Sequence, residues 1–154
     1  MEQLSTAWPV LLTAGGILLL ALAAIFTVRF FRSRSRRSEM DDMEGHEFEY
    51  FCADLLKDNG FTEVEVTRGS GDYGVDILAE KDGVTYAVQC KCHTDPIGVR
   101  AVQEVYAGRD YYDRMVGAVM TNQYFTSAAV QAAGKLKILL WDRGYVEAMM
   151  EEKE

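Results

Sequence analysis

The sequence contains few of the residues that stabilise small disulfide-rich proteins or hold zinc. It has three cysteines and two histidines among 154 residues. An odd number of cysteines argues against a disulfide scaffold and is typical of a reducing compartment. Cys90 and Cys92 invite a zinc interpretation, but no second cysteine pair follows them, and strand alternation puts both thiols on one apolar face. We therefore interpret the cysteines as buried apolar residues.

Positive charge is also scarce. The chain has 16 Lys and Arg against 24 Asp and Glu, which gives a net charge of -8. Residues 39–154 hold 23 of the acidic and 11 of the basic residues, so this part alone carries -12. Proteins that bind nucleic acids are usually basic, because neutralising phosphates drives their affinity. This composition argues against tight binding of a polyanion unless a metal ion, a second copy or a partner supplies positive charge.

Residues 8–28 contain no charged side chain, and no Lys or Arg precedes them. At about 1.5 Å per helical residue this run spans about 31 Å, enough for a bilayer core of about 30 Å. A cleaved signal peptide is the alternative, but such peptides carry positive charge before a shorter apolar core. Five arginines follow within residues 29–37. The positive-inside rule therefore predicts a single-pass membrane protein whose C-terminal part lies in the cytoplasm.

The predicted organisation divides the chain into five parts. Residues 1–7 form a short extracytoplasmic tail, 8–28 a transmembrane helix, 29–43 a basic-to-acidic linker, 44–150 a folded domain and 151–154 an acidic tail. The arginines of the linker could contact anionic lipid or nucleic acid, but setting the topology explains them without a further function.

Hydrophobic periodicity predicts the order α-β-β-β-α-β-α-β-α for the folded domain, and hence a mixed sheet sandwiched by helices. The predicted elements are a helix over 44–59, a strand over 64–67, a strand that starts near Asp76, a strand over 84–92, a helix over 97–113, a strand over 116–121, a helix from the cap Thr126 to Gly134, a strand over 135–141, and a helix from the cap Asp142 to about Met150.

One pair of strands carries the chemistry. Asp76 lies near the start of the second strand, and Gln89 and Lys91 lie on the third. Residues 80–83 form the hairpin loop between them. Alternation sends Gln89 and Lys91 to one face and the apolar residues between them to the other. A carboxylate and a lysine at one end of a sheet are the minimum that metal-assisted hydrolysis of a phosphodiester requires.

Several separated motifs resemble the catalytic domain of Mrr-type restriction endonucleases. They are GHEFEYF at 45–51, GF at 60–61, TRGSGDYGVD at 67–76, VQCK at 88–91, VQEVYAG at 102–108 and VMTNQYFT at 119–126. This family belongs to the PD-(D/E)xK nuclease superfamily, in the variant with glutamine at the second acidic position. The resemblance covers about residues 44–150. It implies an α/β, restriction-endonuclease-like mixed β-sheet flanked by helices, here preceded by one transmembrane helix.

The resemblance also implies a site for Mg²⁺ or Mn²⁺. Asp76 would be the principal ligand, and Gln89 a weaker one through its carbonyl oxygen. The backbone carbonyl of Cys90 could join them, and Glu49 would supply the carboxylate that Gln89 lacks. Lys91 would hold or activate the attacking water and stabilise charge in the transition state.

Three of the implied residues have structural alternatives. Asp72 could be a further ligand, but it lies in a glycine-rich turn, where aspartate commonly makes local hydrogen bonds. Gln103 could contact water or phosphate, although a helical glutamine is usually just exposed. Glu49 is one of three glutamates in six residues, so a solvated helix face would also explain it.

Together these patterns predict a membrane-anchored, divalent-metal-dependent DNA endonuclease that acts against foreign or modified DNA. The alternative is a nuclease-fold membrane adaptor or regulator with little or no cleavage, which the acidic balance favours. The expected partners are DNA, the membrane through residues 8–28, a second copy of the chain and an unidentified recognition partner. A homodimer is expected because cutting both strands takes two active sites. RNA and branched DNA stay open as substrates, because the same site would serve them.

Overall fold

The computed structural model describes residues 15–28, 40–67, 71 and 73–151. The chain divides into two compact units, Met1–Ser38 and Glu39–Glu154. The described part of the first unit is helical over residues 15–28.

The predicted membrane anchor is not borne out. Among the described residues, no helix combines the length and the apolar character that a membrane crossing requires. Residues 8–14 of the predicted segment lie outside the described residues. The prediction of a single-pass membrane location is therefore wrong.

After the helical residues 40–42, the second unit contains four further helices and five strands in its described residues. They are helix α1 (Gly45–Asp58), strands β1 (Thr62–Val66), β2 (Ile77–Lys81) and β3 (Val84–Lys91), helix α2 (Val99–Tyr111), strand β4 (Val116–Thr121), helix α3 (Ser127–Leu136), strand β5 (Ile138–Trp141) and helix α4 (Arg143–Glu151). The order of helices and strands is the predicted one.

The five strands form one mixed sheet in the order β1-β2-β3-β4-β5. The first three strands are an antiparallel meander, whereas β4 and β5 run parallel to β3. The start of β2 therefore lies beside the end of β3, at the sheet end where β4 and β5 also finish. Asp82 and Gly83 make the tight turn between β2 and β3 with φ of 53° and 76°, as a two-residue hairpin loop requires.

Helices cover both faces of the sheet. On one face, Val88 and Cys90 of β3 pack into an apolar cluster with Phe48 of α1 and Val146 of α4. The other apolar cluster joins β4 to α2 and α3. Gln89 and Lys91 point towards α2, since both contact its residue Glu104. The predicted alternation is confirmed, but the polar face is covered too, and Gln89 is buried.

The predicted helix caps are confirmed. Thr126 accepts a hydrogen bond from the backbone of Ala129 at the start of α3. Asp142 accepts one from the backbone of Tyr145 at the start of α4. A side-chain oxygen at this position satisfies a backbone N–H that has no partner within the helix.

Several predicted boundaries differ from those in the structure. The fifth strand was expected over 135–141, but α3 continues through Leu136, and β5 begins only after Lys137, whose φ of 56° is left-handed. The linker was expected to end at residue 43. Met40, however, is fully buried in the core, and Asp41 forms an ion pair with Arg143 of α4. The segment before α1 is therefore part of the folded unit.

Candidate active site

Asp76 is fixed at the point where the chain enters β2. Its backbone N–H donates to the carbonyl of Val88 at 2.8 Å. Its carboxylate Oδ2 accepts a hydrogen bond from the backbone N–H of Cys90 at 2.6 Å. A hydrogen bond to an ionised acceptor is about twice as strong as a neutral one. The Asp76 carboxylate is therefore held against the backbone between Gln89 and Lys91.

Gln89 and Lys91 converge on one carboxylate of the neighbouring helix. Nε2 of Gln89 donates a hydrogen bond of 2.9 Å to Oε2 of Glu104, and Nζ of Lys91 lies 3.5 Å from the same oxygen. The other oxygen of Glu104 accepts from Nε of Arg100 at 2.7 Å. Gln89 is 2% exposed, whereas the side chain of Lys91 is 29% exposed and reaches the surface.

Glu104 is an ionised carboxylate in this arrangement. Partial burial alone would raise its pKa. The hydrogen bonds from Gln89 and Arg100 and the positive charges of Lys91 and Arg100 oppose burial, and the net pKa of Glu104 lies below its ordinary value. Opposite charges and hydrogen bonds that favour the charged form have this effect.

Glu49 lies on the other side of the sheet, on α1. Its side chain is 21% exposed, and its Oε2 lies 2.7 Å from Nδ1 of His46. The pKa of the Cys90 thiol is raised well above its ordinary value, first by a hydrogen bond with Cys52 and by burial, then by electrostatic interactions with Cys52, Asp76 and Glu49. The charges of two implied ligands, Asp76 and Glu49, therefore contribute to the high pKa of this thiol.

The interpretation of the cysteines as buried apolar residues is confirmed for Cys52 and Cys90 and only in part for Cys92. Cys52 and Cys90 are buried, and Cys92 is partly buried. The Cys92 thiol contacts the carbonyl oxygens of Met40 and Met43 at 3.5 and 3.3 Å. The three thiols thus serve packing beneath the site.

The turn before Asp76 is packed directly on α2. Gly74 has φ of +77°, and a Cβ atom there would lie 2.7 Å from Cβ of Glu104. A Cβ on Gly108 would lie 2.6 Å from the carbonyl oxygen of Tyr73. The Tyr73 ring stacks on that of Tyr111, with 3.8 Å between their centroids. Glycines at two positions therefore let the helix and the turn approach closely.

The remaining predicted residues have different outcomes. Asp72 lies outside the described residues. Gln103 is an exposed residue of α2, while its neighbour Glu104 makes the contacts with Gln89 and Lys91. Sequence reasoning missed Glu104. The available signal was its spacing, because it lies three residues after buried Ala101 and four before buried Gly108.

A cleft of about 330 Å³ opens beside Lys91. It runs along the segment that leads into α2 and is lined by the basic residues Lys91, His93 and Arg100 and by the acidic residues Asp95 and Glu104. The first turn of α2 begins there, at the cap Gly98. Free N–H groups and the positive end of the helix dipole favour an anion at such a position.

The oxygen donors at this sheet end fit a hard divalent cation. The described residues contain no cluster of three His, Cys, Asp or Glu side chains that could hold a metal ion. Oε1 of Gln89, however, is buried without a hydrogen-bond partner among the described residues. Asp76, Glu49 and this amide oxygen are the kinds of ligand that Mg²⁺ accepts, with water and a substrate phosphate completing its coordination. An orphaned buried oxygen is what such a site would use.

The five-stranded mixed sheet flanked by helices is a restriction-endonuclease-like fold. The family Mrr_cat, described as restriction endonuclease, matches residues 40–150. The chain therefore belongs to this family of restriction endonuclease catalytic domains, and the membership supports a nuclease function.

Two relatives without a known function are similar to this chain. An uncharacterised protein of Archaeoglobus fulgidus is 28% identical over 114 residues, which cover 66% of each chain. The crystal structure of AF1548, a protein of unknown function, matches 68% of this chain and 64% of its own, with a TM-score of 0.58 and 27% identity. The chain thus spans slightly less than two thirds of the length of both relatives.

Two restriction enzymes share the fold. The DNA modification-dependent restriction endonuclease AspBHI matches 78% of this chain and 35% of its own, with a TM-score of 0.61 and 15% identity. The MspJI restriction endonuclease, solved in complex with a 27-mer oligonucleotide, matches 77% of this chain and 30% of its own, with a TM-score of 0.54 and 18% identity. At these identities the likeness concerns the fold.

Proposed function

We propose that this protein is a divalent-metal-dependent DNA endonuclease. The observation that carries the proposal is the buried Gln89, whose Oε1 is without a hydrogen-bond partner among the described residues. Gln89 lies on β3, two residues before Lys91 and next to Cys90, whose backbone N–H binds the Asp76 carboxylate. A buried amide oxygen without a partner costs stability, and a cation or its bound water would satisfy it.

Asp76, Gln89, Glu49 and the backbone carbonyl of Cys90 would hold Mg²⁺ or Mn²⁺. When bound, the ion would screen the anionic phosphodiester and lower the pKa of water. The hydrogen bond from the backbone N–H of Cys90 holds the Asp76 carboxylate beside the end of β3, which supports this role. The oxygen-only donor set favours hard ions over zinc.

Lys91 would place a positive charge beside the phosphate. Its ammonium group is partly exposed in the cleft and is held 3.5 Å from Glu104. There it could hold the attacking water and stabilise the charge that develops on the phosphate oxygens. A compact ammonium suits this task, because lysine acts as a point charge with three donors.

DNA is the proposed substrate. AspBHI is a DNA modification-dependent enzyme, and MspJI was solved with an oligonucleotide. The acidic balance of the chain opposes binding of DNA, but Lys91, His93 and Arg100 line one cleft at the start of α2. The same cleft also contains Asp95 and Glu104, so these cations do not make it strongly basic. We therefore infer that a metal ion supplies most of the positive charge that binds the scissile segment, with Lys91 and Arg100 beside it, in a protein that acts against foreign or modified DNA.

Cleavage of both strands would need two such sites. We expect a homodimer on DNA, or a partner that contributes recognition of the sequence or its modification. Sedimentation of the chain with and without a duplex would measure this, since a second copy doubles the protein mass on each duplex.

The test uses the full chain with supercoiled plasmid, methylated and unmethylated, in Mg²⁺, Mn²⁺ or EDTA. We expect nicked or linear product with either metal and none with EDTA. A single-stranded RNA and a four-way DNA junction are tested as substrates in parallel, and cleavage of either would reveal another nucleic-acid substrate. A folded chain that cleaves none of these with either metal would overturn the proposal and favour a regulatory module without cleavage activity.

A further inference from the structure

Glu104 links the elements that carry the candidate site. Its Oε2 contacts both Gln89 and Lys91, its Oε1 contacts Arg100, and its Cβ lies where a Cβ on Gly74 would be only 2.7 Å away. Gly74 lies two residues before Asp76. Glu104 therefore lies against two segments, the turn that leads to Asp76 and strand β3, which holds both Gln89 and Lys91.

The chemistry of Glu104 decides which way the Gln89 amide faces. An ionised carboxylate accepts hydrogen bonds and cannot donate one. The amide nitrogen of Gln89 must consequently face Glu104, as the 2.9 Å hydrogen bond requires. The oxygen then has to face away from Glu104, and this is the atom left without a hydrogen-bond partner among the described residues.

The ion pair with Arg100 explains the presence of a carboxylate at position 104 less well than the hydrogen bond from Gln89 does. Arg100 is 88% exposed, and exposed helix pairs of this spacing contribute little to stability. The bond from Gln89 is different, because its donor is buried. Loss of the hydrogen bond between Gln89 and Glu104 should therefore cost more stability than loss of the ion pair between Arg100 and Glu104.

We propose that Glu104 is a positioning residue for the reaction. It orients the carbonyl oxygen of Gln89 as a ligand and keeps the ammonium group of Lys91 beside it. The role rests on the proposed function, and it is exerted through Gln89 and Lys91 without contact between Glu104 and the reacting atoms.

Two substitutions separate the orientation of the amide from the charge. In Glu104→Gln the new amide oxygen can still accept a hydrogen bond from Gln89, although the negative charge beside Lys91 is lost. In Glu104→Ala the amide of Gln89 loses its partner and is free to turn over. Asp110→Asn is the matched control, because Asp110 is an ion-paired carboxylate of the same helix, is 63% exposed and lies outside the cleft.

The first readout is Mn²⁺ affinity of the full chain, measured by calorimetry without DNA. Loss of a group that orients a metal ligand typically weakens binding about 10- to 100-fold. We expect a loss of this size in Glu104→Ala, a smaller loss in Glu104→Gln and wild-type affinity in Asp110→Asn.

The second readout is the NMR signal of the Gln89 side-chain amide. In the wild type its protons should exchange slowly with solvent, because the amide is buried and donates to Glu104, and in Glu104→Ala this protection should be lost. A Gln89 side-chain amide that exchanges as fast as an exposed amide in the folded wild type would overturn the role even if Glu104→Ala failed to fold.

The outcomes for the two proposals differ. Unchanged Mn²⁺ affinity in both Glu104 variants of an active nuclease would overturn the positioning role and leave the nuclease intact. Absence of both Mn²⁺ binding and cleavage in the wild type would overturn the proposed function, and the positioning role with it.

Discussion

The backbone N–H of Cys90 donates a hydrogen bond of 2.6 Å to the carboxylate of Asp76. This contact joins the start of β2 to the end of β3 at the position where the sequence motif predicts a metal ligand. It gives Asp76 a structural role beside the catalytic role proposed for it, and substitutions can separate the two.

Asp76→Ala should lose both stability and cleavage, whereas Asp76→Asn should lose mainly cleavage. Alanine leaves the N–H of Cys90 unpaired, which costs about 1–3 kcal/mol in the free energy of unfolding. Asparagine retains an acceptor oxygen but not the charge that binds a cation. Urea unfolding measures the first effect, and plasmid cleavage, expected to fall about a hundredfold or more in both variants, measures the second. Equal unfolding free energies of the two variants would show that this hydrogen bond does not stabilise the fold.

Gly74→Ala should disturb the site more than the same change at another glycine of similar backbone conformation. Gly83 has φ of +76° with open space around it, whereas a Cβ at Gly74 would lie 2.7 Å from Cβ of Glu104. A left-handed conformation costs an alanine about 1–2 kcal/mol at either position. Only Gly74→Ala adds a clash, so its unfolding free energy and its cleavage rate should both fall below those of Gly83→Ala. Indistinguishable variants would show that α2 does not press on this turn.

The pH dependence of stability should reveal the ionised state of Glu104. Its pKa in the folded chain lies below the ordinary value of 4.5, so its ionised form stabilises the fold. This contribution is fully present above pH 4.5 and is lost as the pH falls through the folded pKa. The difference in unfolding free energy between the wild type and Glu104→Gln should therefore shrink as the pH falls below 4.5. If this difference in unfolding free energy grew as the pH fell, the pKa of Glu104 could not be lowered by folding, and the prediction would be contradicted.

The buried thiols should be unreactive in the native state. A hydrogen bond with Cys52, burial and nearby negative charges raise the pKa of Cys90, and burial and the charge of Asp41 raise the pKa of Cys92. Iodoacetamide reacts with the thiolate, so the native chain should resist labelling, with all three cysteines labelled in denaturant as the control. Mass spectrometry reads the result. Rapid labelling of Cys90 in the native chain would contradict the burial and the raised pKa of its thiol.

Local patterns predicted most of the fold. The alternation along β3 indicated which residues pack on α1, and Thr126 and Asp142 marked the starts of two helices through their capping oxygens. The start of β5 was predicted too early because Lys135 and Leu136 fit either a strand or a helix. Their state is decided by the continuation of α3 and the left-handed turn at Lys137.

The sequence predicted the shared location of those site residues that lie close together along the chain. Asp76, Gln89 and Lys91 belong to two adjacent strands, so their shared location follows from a hairpin. Glu104 comes from a helix whose position depends on close contacts at Gly74 and Gly108, and spacing along the sequence does not reveal those contacts. The predicted anchor shows the opposite error, because an uncharged run was given a location that the described helix 15–28 does not support.

The central claim is that Asp76, Gln89 and Lys91 form one phosphodiesterase site. Its most direct test is plasmid cleavage by the full chain carrying Lys91→Met, beside Lys57→Met as a control. Lys57 is an exposed lysine of α1 paired with Asp54, away from the cleft. We predict that Lys91→Met reduces cleavage at least about a hundredfold and that Lys57→Met leaves it unchanged. Cleavage at the wild-type rate by a folded Lys91→Met chain would contradict the claim.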